Sequence, residues 1–436
     1  MKTLTPLISL LFALATFGGQ SLFAQDDPYE IEMEGDEEEA GKGLTQEELE
    51  AMAVKIVPRV AEIRGLEWKH QVPVGINTPK EFREFAVKAV REEMGAERLK
   101  ALNDFSVLLG ILEPGVDYEE TIYDMLEAGV GGYFDPVADK FFMISTFNNG
   151  GMAEFIMAHE LGHALDHQYH DLNDIFKGAE GNSDREFAAR CVVEGSASAV
   201  GNAYLFQGIQ KGWLKAEDLM DADMMAAMMN GMDEVPIFMI VNLSLPYLDG
   251  TTFMVRKTSS NLMAAMMMEP TDEDLLRAFT APPLSSEQIF HPEKYWDKEK
   301  FDAPVVVEME DRTAALGKGW SLAMTDTLGE FGCAMLTMKT LPTAMSVSMG
   351  TANMVHESSS GWGGDTSQTY VHVDGRALMH WETQWDSEKD AEEFAVALRK
   401  NGMKRAPMMH MIQLAGTRVT VYFATPDAQD LVRKLQ

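Results

Sequence analysis

The chain has 436 residues, 46% of them hydrophobic and 24% charged, a balance that suits a globular protein of about two domains. Its formal charge of -33 argues against nucleic acid or an anionic membrane surface as a partner. The same charge favours cationic substrates or bound cations.

Residues 1–24 read as a secretory leader: Lys2, an apolar run over 4–17, then Ser21-Leu22-Phe23-Ala24. An exported protein is expected, periplasmic or secreted. It should keep no membrane anchor, because no later apolar run is long enough to cross a bilayer and no cysteine near Ala24 could take a lipid. Residues 25–44 are acidic and poor in apolar residues, and are expected to be disordered. Cys191 and Cys333, the only cysteines, both fall in apolar helical patterns, so a disulfide and two buried thiols stay open. The 32 methionines include the runs 224–232 and 263–268, without interleaved cysteine or histidine. They read as a deformable core rather than a copper site.

Thr45 opens a helix with the capping pattern Thr45-Gln46-Glu47-Glu48, and apolar spacing continues to Ile63. A strand over 66–74 and a helix beginning at Thr78 follow, then helices over 103–112 and 121–126. Residues 131–136 and 140–145 read as a hairpin whose second strand precedes the next helix, an exposed edge on which an extended peptide could add.

That next helix carries His159-Glu160-Leu161-Gly162-His163. Histidines four apart lie one turn above each other and can reach one zinc ion. Glu160 sits roughly 100° round the helix, where a carboxylate can take a proton from water whose pKa zinc lowers to about 7. The motif therefore supplies two ligands and a general base, and lacks a third ligand.

After a polar loop over 171–182, Ser183-Asp184-Arg185-Glu186 reads as a capping box for a helix through Val200. Phe187, Cys191, Glu194 and Ser198 fall within about 60° of one another on it. A lone carboxylate on so small and apolar a face needs a compensating cation, which zinc would supply. Arg190, one turn back, would also serve, as an ordinary ion pair. Glu194 is the preferred third ligand. His167 turns too far from the first two histidines on a straight helix, and Asp166 and Asp184 suit the orientation of an imidazole better. Peptide hydrolysis also needs a donor to the developing oxyanion, for which His291 and Tyr133 are the candidates.

His159-Glu160-Leu161-Gly162-His163 with Val193-Glu194-Gly195-Ser196-Ala197 thirty residues on resembles the gluzincin metallopeptidases, whose third ligand is a glutamate on a following helix. More closely, the chain is similar to a group of exported bacterial zinc-peptidase-like proteins. The shared landmarks are Gly132-Tyr133-Phe134-Asp135-Pro136, the stretch 159–171, Val193-Glu194-Gly195, Leu245-Pro246-Tyr247 with Gly250, the stretch 286–292 and Gly361-Trp362-Gly363-Gly364-Asp365. The resemblance implies a zincin-like fold and the ligand set His159, His163 and Glu194. One departure matters: thermolysin-like members place an aspartate four after the ligand glutamate, where this chain has Ser198.

From about residue 305 the pattern changes to a helix over 325–340, a glycine- and serine-rich loop over 358–365, strands over 370–373 and 376–385, a helix over 387–401, a strand pair over 408–423 and a closing helix. The expected fold is α+β: a mainly helical zincin-like domain with a small edge sheet over 45–304, then a smaller α+β module over 305–436. The expected function is a zinc-dependent hydrolase acting on peptide or protein. Two alternatives are a zinc-containing scaffold without turnover and a hydrolase of non-peptide amides.

Overall fold

The computed structural model describes residues 44–146, 150–179, 181–215 and 235–436; the leader, the acidic stretch and the first methionine run lie outside the described residues. Helix α1 (Gln46–Arg64) starts at the expected capping box, Thr45 with Glu48, and stops at Gly65, whose φ of 68° ends the helix in the left-handed region. Strand β1 is Val74–Asn77, not 66–74. The preceding residues fold under α1 instead, with the Trp68 indole donating to Val57 O at 2.9 Å. Helix α2 (Pro79–Leu108) absorbs most of the expected 103–112 helix and is broken at Gly95, where φ is 71°. Helix α3 is Tyr118–Gly129.

Strands β2 (Gly132–Asp135) and β3 (Lys140–Ile144) form the expected hairpin, and β3 also pairs in parallel with β1, giving the order β1-β3-β2. The edge strand β2 is buried throughout, so it is not the open peptide edge expected from the sequence. Helix α4 (Gly150–Tyr169) carries the histidine motif and is enclosed on nearly all sides. Helix α5 (Leu172–Lys177) occupies the expected loop, and α6 (Ser183–Lys211) runs well beyond Val200. Its cap is Asn182, whose Oδ1 accepts from Arg185 N at 2.9 Å, rather than Ser183. The Ser183 hydroxyl donates instead to Asp326 at 2.6 Å. Helix α7 (Ile237–Met254) packs along α6.

The C-terminal part is an antiparallel sheet of five strands in the order β4-β5-β6-β8-β7: β4 (Trp320–Asp326), β5 (Trp362–His372), β6 (Ala377–Trp385), β7 (Met409–Ala415) and β8 (Arg418–Ala424). Strand β4 was not expected, and the helix placed over 325–340 is confined to Gly329–Thr337. The closing helix is a short 3-10 stretch, Gln429–Lys434. Trp362, Trp381, Trp385 and Phe394 pack with Phe105 and Leu108 of α2 in one apolar cluster, which fixes the module to the helical part. Each such fully buried large side chain contributes about 1.5–3 kcal/mol. Cys191 and Cys333 are free buried thiols, which settles the open pairing. No helix among the described residues is long and apolar enough to cross a membrane.

Of the buried carboxylates, Asp326 of β4 joins the two parts by accepting from Ser183 N at 2.7 Å, and Asp365 and Asp184 order the chain on either side of that junction. Asp365 accepts from Leu328 N, Gly329 N and the indoles of Trp362 and Trp381, all at 2.8–2.9 Å. Asp184 accepts from Ser286 N at 3.0 Å, and burial pushes its pKa up to about 7. Between pH 4 and 7 the folded protein therefore holds a proton there that the unfolded chain releases, so stability falls as pH rises through that window. The loss from Asp184 is on the order of 4 kcal/mol. Melting temperature measured from pH 4.5 to 8 should decline in the parent and decline visibly less in Asp184→Asn. Equal slopes would remove Asp184 as the cause.

Candidate metal centre

His159 and His163 lie one turn apart on α4, and α6 brings Glu194 across to them. His159 Nε2 is 3.2 Å from Glu194 Oε2, His163 Nε2 is 3.3 Å from the same oxygen, and the two Nε2 atoms are 3.1 Å apart. All three side chains are at most 2% exposed. Ligand atoms ~2.0–2.1 Å from a tetrahedral zinc ion stand roughly 3.3–3.4 Å from one another. The observed triangle has nearly those edges. Two nitrogens and a carboxylate oxygen facing one another in a buried space can share few protons, and a cation among them satisfies all three.

The electrostatics agree. Burial holds His159 below its ordinary pKa and takes His163 down to about 3, so both imidazoles are neutral with a lone pair to give. Burial also pushes the Glu194 carboxyl up, and only nearby positive charge keeps such a group ionised. The residues fit a divalent metal ion of the zinc type.

Glu160 stands beside the triangle and is fully buried. Its Oε2 accepts from Phe134 N on the β2 edge at 2.9 Å, whereas its Oε1 has no hydrogen-bond partner. Burial first, then the neighbouring Glu194, raises its pKa well above the carboxylate range. One oxygen is thus pinned and the other is free to take a proton.

Close packing of glycines sets these distances. A Cβ on Gly195 would lie 2.4 Å from backbone atoms of Gly250, and one on Gly250 would lie 2.3 Å from Cys191 O, so α6 and α7 touch backbone to backbone. Below the histidines, Arg64 of α1 bridges both oxygens of Asp166 on α4, and Ser196 of α6 donates to Asp166 at 2.6 Å. That buried ion pair ties three helices together, and removing one partner of such a pair costs about 3–5 kcal/mol.

Asp166 is therefore committed to Arg64 and Ser196, and His163 Nδ1 has no hydrogen-bond partner. Asp184 lies at the junction with the C-terminal module, not at the histidines. His167 stays out of the triangle, accepting from Leu172 N. Arg190 forms no ion pair with Glu194; it donates to Asn242 Oδ1 at 2.7 Å, which overturns the ordinary-salt-bridge alternative.

Neither expected oxyanion donor faces the metal residues. His291 is 3.2 Å from Glu330, and Tyr133 is packed among Phe82, Phe85 and Phe142 with its hydroxyl held by Asn77 at 2.7 Å. The residue that does approach is Tyr247 of α7. Its ring lies 5.6 Å from that of His159 at 28°, and its phenol lies beside the carboxylates of Glu194 and Glu160. Burial, then those two charges, raises its pKa far above the ordinary phenol value, so the hydroxyl keeps its proton. The sequence marked Tyr247 only as a landmark; a tyrosine in an otherwise apolar helix was the available signal.

A second group of acids, Glu287, Asp302 and Asp386, is brought together near the module junction. Lys294 already supplies its cation, with Nζ at 2.7, 2.8 and 3.6 Å from the three.

Residues 320–433 match a family described as a domain of unknown function (DUF8575), which places that match on the C-terminal sheet module. No curated protein and no solved structure matches the chain. The helical part speaks through its own geometry: buried His159, Glu160 and His163 with a downstream Glu194 form the arrangement of the gluzincin metallopeptidases.

Proposed function

We propose that the protein is an exported zinc peptidase in which His159, His163 and Glu194 hold the metal and Glu160 is the general base. The observation that carries this is the near-equilateral buried triangle with the free Glu160 Oε1 beside it. Zinc, when bound, lowers the pKa of water to about 7 and polarises a carbonyl. Glu160 Oε1 takes the proton of the attacking water and returns it to the amide nitrogen as the C–N bond breaks. The Phe134 N–H keeps that carboxylate aimed throughout. The Tyr247 hydroxyl donates to the oxygen on which charge develops. The apolar leader over 4–17 supports export.

Hydrolysis of a quenched peptide library by the mature protein should be abolished by a chelator and restored by zinc. A zinc-loaded, folded protein that cleaves amides of cell-wall fragments but no peptide would transfer the activity to the non-peptide class. Tyr247→Phe should lower kcat by roughly 100- to 1,000-fold with zinc still bound. An unchanged kcat would leave the oxyanion to another donor.

A further inference from the structure

Two helices of the metal centre, α6 and α7, also border a cavity of about 190 Å³, lined besides by α2, α3 and the start of the helix Gly329–Thr337. Contacts between α6 and α7 rise together along both chains, so the two run parallel in layers. Phe187 and Phe238 meet across Phe331, with ring separations of 5.1 and 5.2 Å. One turn on, Arg190 meets Asn242. One turn further, Glu194 lies beside Tyr247. Phe187, Phe238, Phe331, Arg190 and Asn242 line the cavity, which therefore ends one helical turn short of the metal residues.

Arg190 is the unusual member. Only a neutral amide oxygen, Asn242 Oδ1, accepts from its guanidinium, and no carboxylate lies within 4 Å of it among the described residues. Glu186, one turn back, is taken by Arg98 at 3.0 Å. Of the remaining lining carboxylates, Asp184 and Asp326 are held by Ser286 and Ser183, and the charge of Glu93 acts on Arg98. A guanidinium facing a mainly apolar cavity, in a chain with 69 acidic and 36 basic residues, lacks a counter-charge in direct contact, since Glu186 and Glu194 act on it only from further off. An anionic ligand would supply it, and a guanidinium is built to bind a carboxylate by paired hydrogen bonds.

Geometry narrows the ligand. Arg190 and Glu194 are four residues apart, about 6 Å along α6. An extended peptide advances ~3.3–3.6 Å per residue, so a carboxylate at Arg190 belongs one or two residues beyond a carbonyl at the metal centre. The cavity is smaller than the roughly 300–1,000 Å³ that whole drug-sized ligands occupy, and the larger share of its wall is aromatic and aliphatic, with charged side chains between. It suits one apolar side chain.

We propose that this cavity receives the apolar C-terminal residue of a peptide, whose free carboxylate pairs with Arg190 and Asn242, so that the protein acts close to peptide C-termini. The proposal rests on the peptidase reading above and specifies its substrate class.

The test separates the two. Calorimetry on the full-length mature Glu160→Gln protein, zinc-loaded and zinc-free, would use acetylated tripeptides ending in phenylalanine as free acid or as amide. The acid should bind at least about tenfold tighter than the amide, and Arg190→Met should close that gap without weakening the amide. Asn242→Asp, which gives Arg190 an internal carboxylate, should also lower acid binding selectively and covers the case in which Arg190→Met fails to fold. Equal binding of acid and amide, or a gap that survives both variants, would overturn the cavity assignment. Cleavage by the parent at internal bonds, with no preference for a free terminus, would overturn it while leaving the peptidase reading intact. Acid selectivity without any hydrolysis would support the cavity and sink the peptidase.

Discussion

Glu194→Ala should empty the metal centre. The parent, dialysed against a weak chelator, should carry about one zinc per chain by elemental analysis, and the variant less than about a tenth of that. Loss of partners that merely orient ligands costs 10–100-fold in affinity, and loss of a ligand from a three-ligand set should exceed that. Glu194 Oε2 is the atom common to both 3.2 and 3.3 Å edges of the triangle, so its removal leaves only two neutral imidazoles. A control distinguishes ligand loss from misfolding. Saturating zinc stabilises a protein that binds it by about 2.7 kcal/mol at a hundred times Kd, so added zinc should raise the parent's melting temperature and leave the variant's unchanged. Without zinc the variant should melt no lower than the parent, because it lacks a buried carboxylate whose charge burial opposes. Stoichiometric zinc in a folded Glu194→Ala protein would mean that another residue completes the site.

The parts of this centre that were legible in the sequence are those set by one helix. His159, Glu160 and His163 need only the 3.6-residue turn to assume their relation. Glu194 was legible for a different reason: a carboxylate on a face shared with Phe187, Cys191 and Ser198 has to be compensated by something. Tyr247 was not legible as a functional group. Its place depends on the backbone contact of Gly195 with Gly250, between helices joined through residues outside the described range, and no local pattern reports such a contact. His291 and Tyr133 drew attention by their motif settings, yet each is held by a neighbour, Glu330 or Asn77, that only the folded chain brings near. Strand β4, by contrast, carried a local signal that the helix expected over 325–340 overrode: Trp320, Leu322 and Met324 alternate with Ser321, Ala323 and Thr325, and the run pairs with β5 across a register shift between Leu322 and Met324.

Glu160→Gln tests the chemistry rather than the metal. The substitution keeps the volume of the side chain and an oxygen that can accept from Phe134 N, so the packing around β2 and α4 should survive. Glu160 is not a vertex of the triangle, and zinc content should match the parent's. What the amide cannot do is take a proton. Loss of a positioned general base costs roughly 100- to 10,000-fold, and the loss should fall on kcat with KM little changed, because peptide binding does not depend on that proton. Paired with Glu194→Ala, the variant divides the site into two functions: one protein with metal and no turnover, the other with neither. A Glu160→Gln protein as active as the parent would place the base elsewhere. A parent that binds zinc and hydrolyses neither peptides nor other amides would give Glu160 no proton to move. The buried triangle would then belong to a zinc-containing binding protein, and Glu160 Oε1 would be left as a buried, unpaired oxygen with no chemical task.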